Sequence, residues 1–240
     1  MGAFSRVKML IGQDKLDILE RSHVAVFGIG GVGGYTAEAL VRSGIGEITV
    51  IDNDTVAESN LNRQIIATID NLGKDKVSVM KERLLSINSN VKVHAKKLFY
   101  LPETASEINF NDFDYVIDAV DTVTAKLEVV LRSKSIPVPV ISCMGTGGKT
   151  DITALKVADI KKTKVCPLAR VMRRELNKRG IDSLKVVYSE EITSQGVEDI
   201  ETQEKKSDGK KAPPSMIFVP ATAGLMLARE VVCDLTESKQ

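Results

Sequence analysis

The chain has 240 residues, 43% of them apolar, which suits one α/β domain with an elaboration and supplies a sizeable core. Its net charge of +1 excludes no partner by itself, but no apolar run approaches a membrane span and the N-terminus lacks the basic-then-apolar layout of a signal peptide. Cys143, Cys166 and Cys233 are scattered and odd in number, which fits free thiols in a reducing cytosol and not a disulfide framework. A cytoplasmic location is therefore expected.

Residues Phe4 to Glu20 read as an amphipathic helical arm carrying Met9, Leu10, Leu16, Ile18 and Leu19. The most informative stretch follows. An apolar run from Val24 ends in Gly28, Gly30, Gly31, Gly33 and Gly34, and a helical pattern begins around Tyr35 and reaches Ser43. Strand, glycine turn and helix in this order predict a nucleotide-phosphate site. Glycines let the backbone approach the phosphates closely, and a helix N-terminus offers free N–H groups and partial positive charge. A second strand, Glu47 to Ile51, delivers Asp52 19 residues after Gly33, where a ribose-binding carboxylate is expected. To this point a nicotinamide-binding redox protein and an ATP-using enzyme read alike.

Arg63, in the run Ser59 to Gln64, and Lys76, 13 residues further on, separate the two. Two cations just beyond the ribose acid suit a triphosphate, because they neutralise charge on the β and γ phosphates as pyrophosphate leaves. The plainer reading places Arg63 in a surface loop and Lys76 on a solvated helix face. Asp75 to Asn88 has helical apolar spacing, and Val91 to Val93 is a short strand. Another apolar strand, Tyr115 to Asp121, brings Asp118 and Asp121 to its C-terminal end, where an open parallel sheet binds its ligand. Hard oxygen ligands suit Mg²⁺, and Asp121 is the candidate metal acid. Asp118 is read as holding the nucleotide loop or an outer water of the metal, or else as a helix N-cap ahead of Thr122.

Thr122 to Ser135 reads as a helix, Val138 to Cys143 as a strand, and Gly145 to Lys149 as a mobile crossing loop. Between Lys156 and Lys185 there are ten cations and three acids. Arg170, Arg173 and Arg174 lie at i, i+3 and i+4 on a helix from Leu168 to Lys178, one face suited to a nucleic-acid backbone. A solvated helix, ion-paired to the six acids between Glu190 and Glu204, is the competing reading. Residues 190–215 read as a mobile loop, Met216 to Val219 as a strand, and Ala221 to Leu235 as an apolar closing helix after Pro220. The whole is a Rossmann-like, mostly parallel α/β sheet with helices on both faces and a C-terminal strand–helix elaboration.

Gly28 to Gly33, Asp52, Asn60-Leu61-Asn62-Arg63-Gln64, Lys76 and Asp118-x-x-Asp121 together resemble the adenylating domain of the ubiquitin-activating-enzyme superfamily, whose relatives activate the molybdopterin and thiamin sulfur carriers. The resemblance spans nearly the whole chain, 1–240, as a single adenylating domain. It implies ATP and Mg²⁺ as cofactors, Asn60, Asn62 and Gln64 as further nucleotide contacts, and Arg63, Lys76 and Asp121 in the chemistry. It also implies a homodimer in which Arg6, in Phe4-Ser5-Arg6, reaches the partner's ATP site.

Sulfur-carrier activators hold a structural zinc with two Cys-x-x-Cys pairs, which this chain lacks. Asp121 to Lys126, Met144 to Lys149 and Asp159 to Arg170 instead resemble one branch, the dehydratases (cyclases) of tRNA threonylcarbamoyladenosine. Thr122 departs from the Asn that usually follows the metal acid in the sulfur-carrier activators. The branch implies tRNA carrying that base as substrate, with Arg170, Arg173 and Arg174 on the RNA. It also implies an accompanying Na⁺ or K⁺ and sulfur-transfer accessory proteins. Activation of the C-terminal glycine of a ubiquitin-like sulfur carrier is the alternative. No protein nucleophile is expected, and the cysteines receive no catalytic role.

Overall fold

A computed structural model describes residues 2–194 and 213–237. Its centre is one seven-stranded sheet in the order β3-β2-β1-β4-β5-β7-β6. The strands are β1 (His23–Phe27), β2 (Glu47–Asp52), β3 (Lys92–Lys97), β4 (Tyr115–Asp118), β5 (Val140–Cys143), β6 (Leu155–Asp159) and β7 (Lys185–Ser189). All neighbours pair in parallel except β6, which runs antiparallel to β7. Strands β1 and β4 are adjacent, so the chain leaves β1 toward one edge of the sheet and starts β4 toward the other. That reversal opens a crevice above the C-terminal ends of the strands. In register, Phe27 lies opposite both Ile51 and Asp118, and Asp118 lies opposite Ser142. Gly28, Asp52, Asp118 and Cys143 therefore share one edge of the sheet.

The central strands are apolar on both faces, as a sheet covered on both sides requires. Val24 to Phe27 and Tyr115 to Ile117 are all buried. The helices are α1 (Ser5–Ile11), α2 (Gln13–Arg21), α3 (Gly33–Arg42), α4 (Lys76–Ile87), α5 (Val123–Ser135), α6 (Pro167–Asn177) and α7 (Phe218–Glu237). One cluster of buried side chains joins α3, α4 and α7 to the sheet, and a second joins α5 and α6 to its other face. Helix α7 lies against the N-terminus of α3. A Cβ on Gly224 would stand 2.5 Å from the Val32 carbonyl oxygen, so glycine is what admits this contact.

Several elements differ from the sequence expectation. The N-terminal arm is two helices broken at Gly12, whose φ of +86° ends α1. Leu16 and Leu19 are buried, but Met9 and Leu10 are more than 80% exposed, so α1 buries no residue fully and meets the core only through the partly buried Ile11 at its end. No strand forms over Met216 to Val219, because α7 already begins at Phe218 with Pro220 in its first turn, where the missing N–H costs nothing. Strand β4 stops at Asp118, and Asp121 stands three residues out in the following loop. Strand β3 runs on to Lys97 through a polar sequence that apolar patterning does not mark. The Gly145 to Lys149 segment is held, not loose. Gly148 donates its N–H to the Pro214 carbonyl at 2.6 Å and accepts from Ser194 at 2.8 Å, and Lys149 is buried with Nζ 3.3 Å from the Ser189 carbonyl. The expected mobile loop, 190–215, falls for residues 195–212 outside the described residues. Among the described residues no helix is long and apolar enough to cross a membrane.

Candidate active site

The glycine turn forms the floor of the crevice. Gly28 has φ +87°, and a Cβ on Gly33 would meet the Gly28 carbonyl oxygen at 1.8 Å, so any side chain there would push α3 off β1. A Cβ on Gly30 would meet nothing within 4 Å, which leaves open space over the turn. At the start of α3 the Gly34 N–H already donates to the Gly30 carbonyl at 3.1 Å and that of Thr36 to the Val32 carbonyl at 3.0 Å, which closes the turn onto the helix.

Asp52, at the end of β2, ties this turn down. Its Oδ2 accepts from the Ile29 N–H at 2.6 Å and its Oδ1 from the Asp54 N–H at 2.8 Å. Burial pushes its carboxyl above the ordinary range, against the pull of the Lys76 ammonium. Lys76 is itself buried, at the first position of α4, with Nζ 2.8 Å from Asp54 Oδ2. The solvated-face reading of Lys76 is therefore wrong. Helix α4 packs onto the sheet on the side where its first turn meets the β2 loop, and Lys76 points inward with Asp54 as counter-ion. Asp54 received no role in the sequence reading.

The Ser59 to Gln64 run coils beside the turn. Arg63 donates from one guanidinium nitrogen to the Ser59 carbonyl at 2.7 Å and to Asn62 Oδ1 at 2.9 Å. Its Cγ comes within 3.4 Å of where a Gly31 Cβ would stand, so the stem of Arg63 lies on the glycine turn. Asn60 is buried and caps its own turn by accepting from the Ala57 N–H at 3.2 Å. Asn62 donates to the Ser215 carbonyl at 2.8 Å, which ties the chain leading into α7 to the site. Gln64 is buried, and its Oε1 has no hydrogen-bond partner. A buried acceptor left open beside a phosphate turn fits a donor on a bound nucleotide.

On the β4 side, Asp118 and Lys126 are both completely buried and form an ion pair at 2.9 Å. Lys126 also donates to the carbonyls of Val120, at 3.0 Å, and Cys143, at 2.7 Å, so all three of its protons are used. Asp118 accepts from Ser142 Oγ and from the Val120 N–H at 3.2 Å. Asp118 is thus neither exposed nor a helix cap; Thr122 stands at the N-cap of α5. The pair holds the Val120 backbone by both its N–H and its carbonyl, one residue before the exposed Asp121. A hard oxygen donor so placed fits a hydrated Mg²⁺. Lys126 was missed in the sequence. Its one signal is a lysine four residues after Thr122 on an otherwise buried stripe of α5, matched to an acid at a strand end.

Arg6 is exposed on α1, away from any core contact. The basic face of α6 is split. Arg173 turns inward and donates to the Ile160 carbonyl, the Thr163 carbonyl and Thr163 Oγ1 at 3.2, 3.0 and 2.7 Å, so it clamps the loop before the helix. Arg170 and Arg174 are exposed. Arg174, Lys178 and Arg179 gather on Glu175, and Lys178 foremost, then Arg179, holds that carboxyl down at about 2. Of the acidic stretch, Glu190 pairs with Lys156, while residues 195–204 lie outside the described residues. The cysteines are free, and burial pushes the Cys143 thiol up to about 12, which removes it as a nucleophile at neutral pH.

Residues 4–238 match the ThiF family. The chain is 42% identical, over 97% of its length and 94% of the relative's, to the tRNA threonylcarbamoyladenosine dehydratase of Bacillus subtilis (strain 168). The crystal structure of the E. coli tRNA N6-threonylcarbamoyladenosine dehydratase, TcdA, in complex with AMP has a TM-score of 0.88 at 31% identity, covering 98% of this chain and 95% of that one. The same enzyme in complex with ATP has a TM-score of 0.85 at 31% identity, covering 98% and 94%.

Proposed function

The chain belongs to the ThiF family, and from that premise we propose that it is an ATP-dependent tRNA threonylcarbamoyladenosine dehydratase. The observation that carries this is the end-to-end match to a dehydratase, 42% identical over 97% of the chain. The rival, activation of a sulfur-carrier tail, lacks its zinc cysteines here.

Two steps follow. The threonine carboxylate on the modified adenosine attacks the α-phosphate of ATP, and pyrophosphate leaves. The carbamoyl oxygen of the same base then attacks the activated carbonyl, the oxazolone ring closes and AMP leaves. One water is lost from the base. A free carboxylate is a poor electrophile, hence ATP; the nucleophile is on the substrate, hence no reactive protein group is needed. The protein supplies position and charge.

Gly28, Gly30, Gly31 and Gly33 receive the phosphates, Asp52 orients the ribose, and Asn60, Asn62 and Gln64 complete the nucleotide contacts. Arg63 and Lys76 offset charge on the departing pyrophosphate. Mg²⁺, held by Asp121, would draw negative charge from the phosphate oxygens. As an expected outcome, Asp121→Ala abolishes pyrophosphate release while circular dichroism and Tm stay near wild type, because the side chain is exposed. Near-normal turnover would remove it from the site.

Arg170 and Arg174 lie on the RNA, and Arg173 holds the loop beneath them. Reversing the charge of Arg170 and Arg174 together is expected to weaken tRNA binding and to reduce the slope of log affinity against log salt by about one to two. An unchanged slope would make α6 a solvated face. The same reading makes the whole chain one adenylating domain of a cytoplasmic homodimer, with Arg6 reaching the partner's crevice and Na⁺ or K⁺ as an accompanying ion. Sulfur-transfer proteins are its candidate accessory partners.

The deciding experiment supplies ATP and tRNA carrying threonylcarbamoyladenosine, then weighs the digested nucleosides. AMP, pyrophosphate and a base lighter by one water are expected. No ATP use with that tRNA, but pyrophosphate exchange with a Gly-Gly-tailed carrier, would overturn the assignment.

A further inference from the structure

We propose that the opposite, N-terminal edge of the sheet carries a divalent transition-metal site of the zinc class, formed by His23, Glu47 and His94. These are the chain's two histidines, far apart in sequence, and the strand register brings both to one carboxylate. His23 lies opposite Glu47 across β1 and β2, and His94 lies opposite Thr49 across β2 and β3. One ligand atom from each of the three falls within 4.8 Å of the others.

The atoms are arranged as a ligand set. Glu47 Oε1 is 3.8 Å from His23 Nδ1 and 2.8 Å from His94 Nε2. Zinc bonded at about 2.0–2.2 Å spaces tetrahedral donors roughly 3.3 Å apart, between those two distances, so modest side-chain rotation admits the ion. His23 Nε2 stands 2.8 Å from Thr49 Oγ1. With that nitrogen donating to the hydroxyl, the Nδ1 lone pair is turned toward Glu47, the way an outer partner fixes the tautomer of a metal-binding imidazole. Phe113 packs edge-on against His23 at 5.0 Å between ring centres and restricts the ring. Glu47 Oε2 faces Lys92 Nζ at 3.5 Å, leaving Oε1 for the ion.

Two imidazoles and one carboxylate are a zinc donor set with the fourth position open. The three side chains line a surface cleft of about 330 Å³, which Asp112 and Lys96 also line. Lys92 and Lys96 hold the affinity below that of a closed thiolate site. The ion would join the starts of β1, β2 and β3, at the other end of the strands from Gly28 and Asp52. Its role is to brace the sheet, and it takes no part in adenylation.

The test uses the untagged full chain, stripped with chelator and titrated with Zn²⁺ or Co²⁺. One equivalent per chain is expected, with a Co²⁺ ligand-field spectrum free of thiolate charge transfer. Tm is expected to rise roughly 5–10 °C at a hundredfold excess of Zn²⁺ over Kd. His94→Ala, on the exposed edge strand, and Glu47→Gln should each weaken binding at least about tenfold. Unchanged affinity in His94→Ala, a thiolate band, or no binding below millimolar metal would each overturn the site.

Discussion

Arg63→Ala is expected to slow the pyrophosphate-releasing step about a hundred- to a thousandfold, with the KM for ATP changed far less. The magnitude is that of removing one preorganised donor from a site where charge develops. The geometry makes the role specific. The Arg63 side chain lies on Gly31, and both hydrogen bonds of its guanidinium go to its own loop, to the Ser59 carbonyl and Asn62 Oδ1. Nothing in the core depends on it, so Tm should move by only a few degrees. Under the proposed function the remaining guanidinium protons meet phosphate oxygens, bidentate where a lysine would offer only a point charge. Arg63→Lys should therefore recover a small part of the lost rate. Single-turnover AMP formation reads the effect, and tRNA filter binding runs beside it. If Arg63→Ala weakens tRNA binding alone and leaves the chemical step intact, the assignment to the phosphates is wrong.

The half of the candidate site built from contiguous residues was legible in the sequence. The glycine turn is one run of amino acids, Asp52 ends an apolar strand at a fixed offset, and Arg63 and Asp121 stand in short motifs. Local backbone chemistry decides such features. What was not legible depends on pairing between distant elements. Nothing in the spacing says that Lys126 turns into the core to meet Asp118, or that Asp54 takes Lys76 as its partner. Helical spacing placed Arg170, Arg173 and Arg174 on one face, but periodicity does not record a loop packed under that face, and so Arg173 is drawn away from solvent. The two histidines meet only because parallel register aligns three strands. The arm failed for a different reason: Gly12 interrupts a pattern that otherwise reads as one helix, and a pattern cannot say whether an apolar stripe finds a partner within the chain.

The largest stability effect is expected at the pair that sequence reading missed. Lys126→Met removes the only cation beside a completely buried Asp118 carboxylate among the described residues, and also frees the Val120 and Cys143 carbonyls. Breaking one side of a buried pair leaves an uncompensated charge and costs about 3–5 kcal/mol. In a chain of 240 residues this is a fall in Tm of roughly 10 °C, read by calorimetry. Activity should fall further than stability requires. The Val120 carbonyl that Lys126 holds belongs to the turn leading to Asp121, so a loosened turn misplaces the carboxylate proposed to meet the metal. Asp118→Asn added to Lys126→Met removes the stranded charge, so the double variant should be more stable than Lys126→Met alone, a coupling that a double-mutant cycle measures directly. Its turnover should nonetheless stay low, because neutralising Asp118 does not restore the donor to Val120. Recovery of Tm without recovery of rate separates positioning from mere stability. Equal recovery of both would mean that the pair only holds the fold.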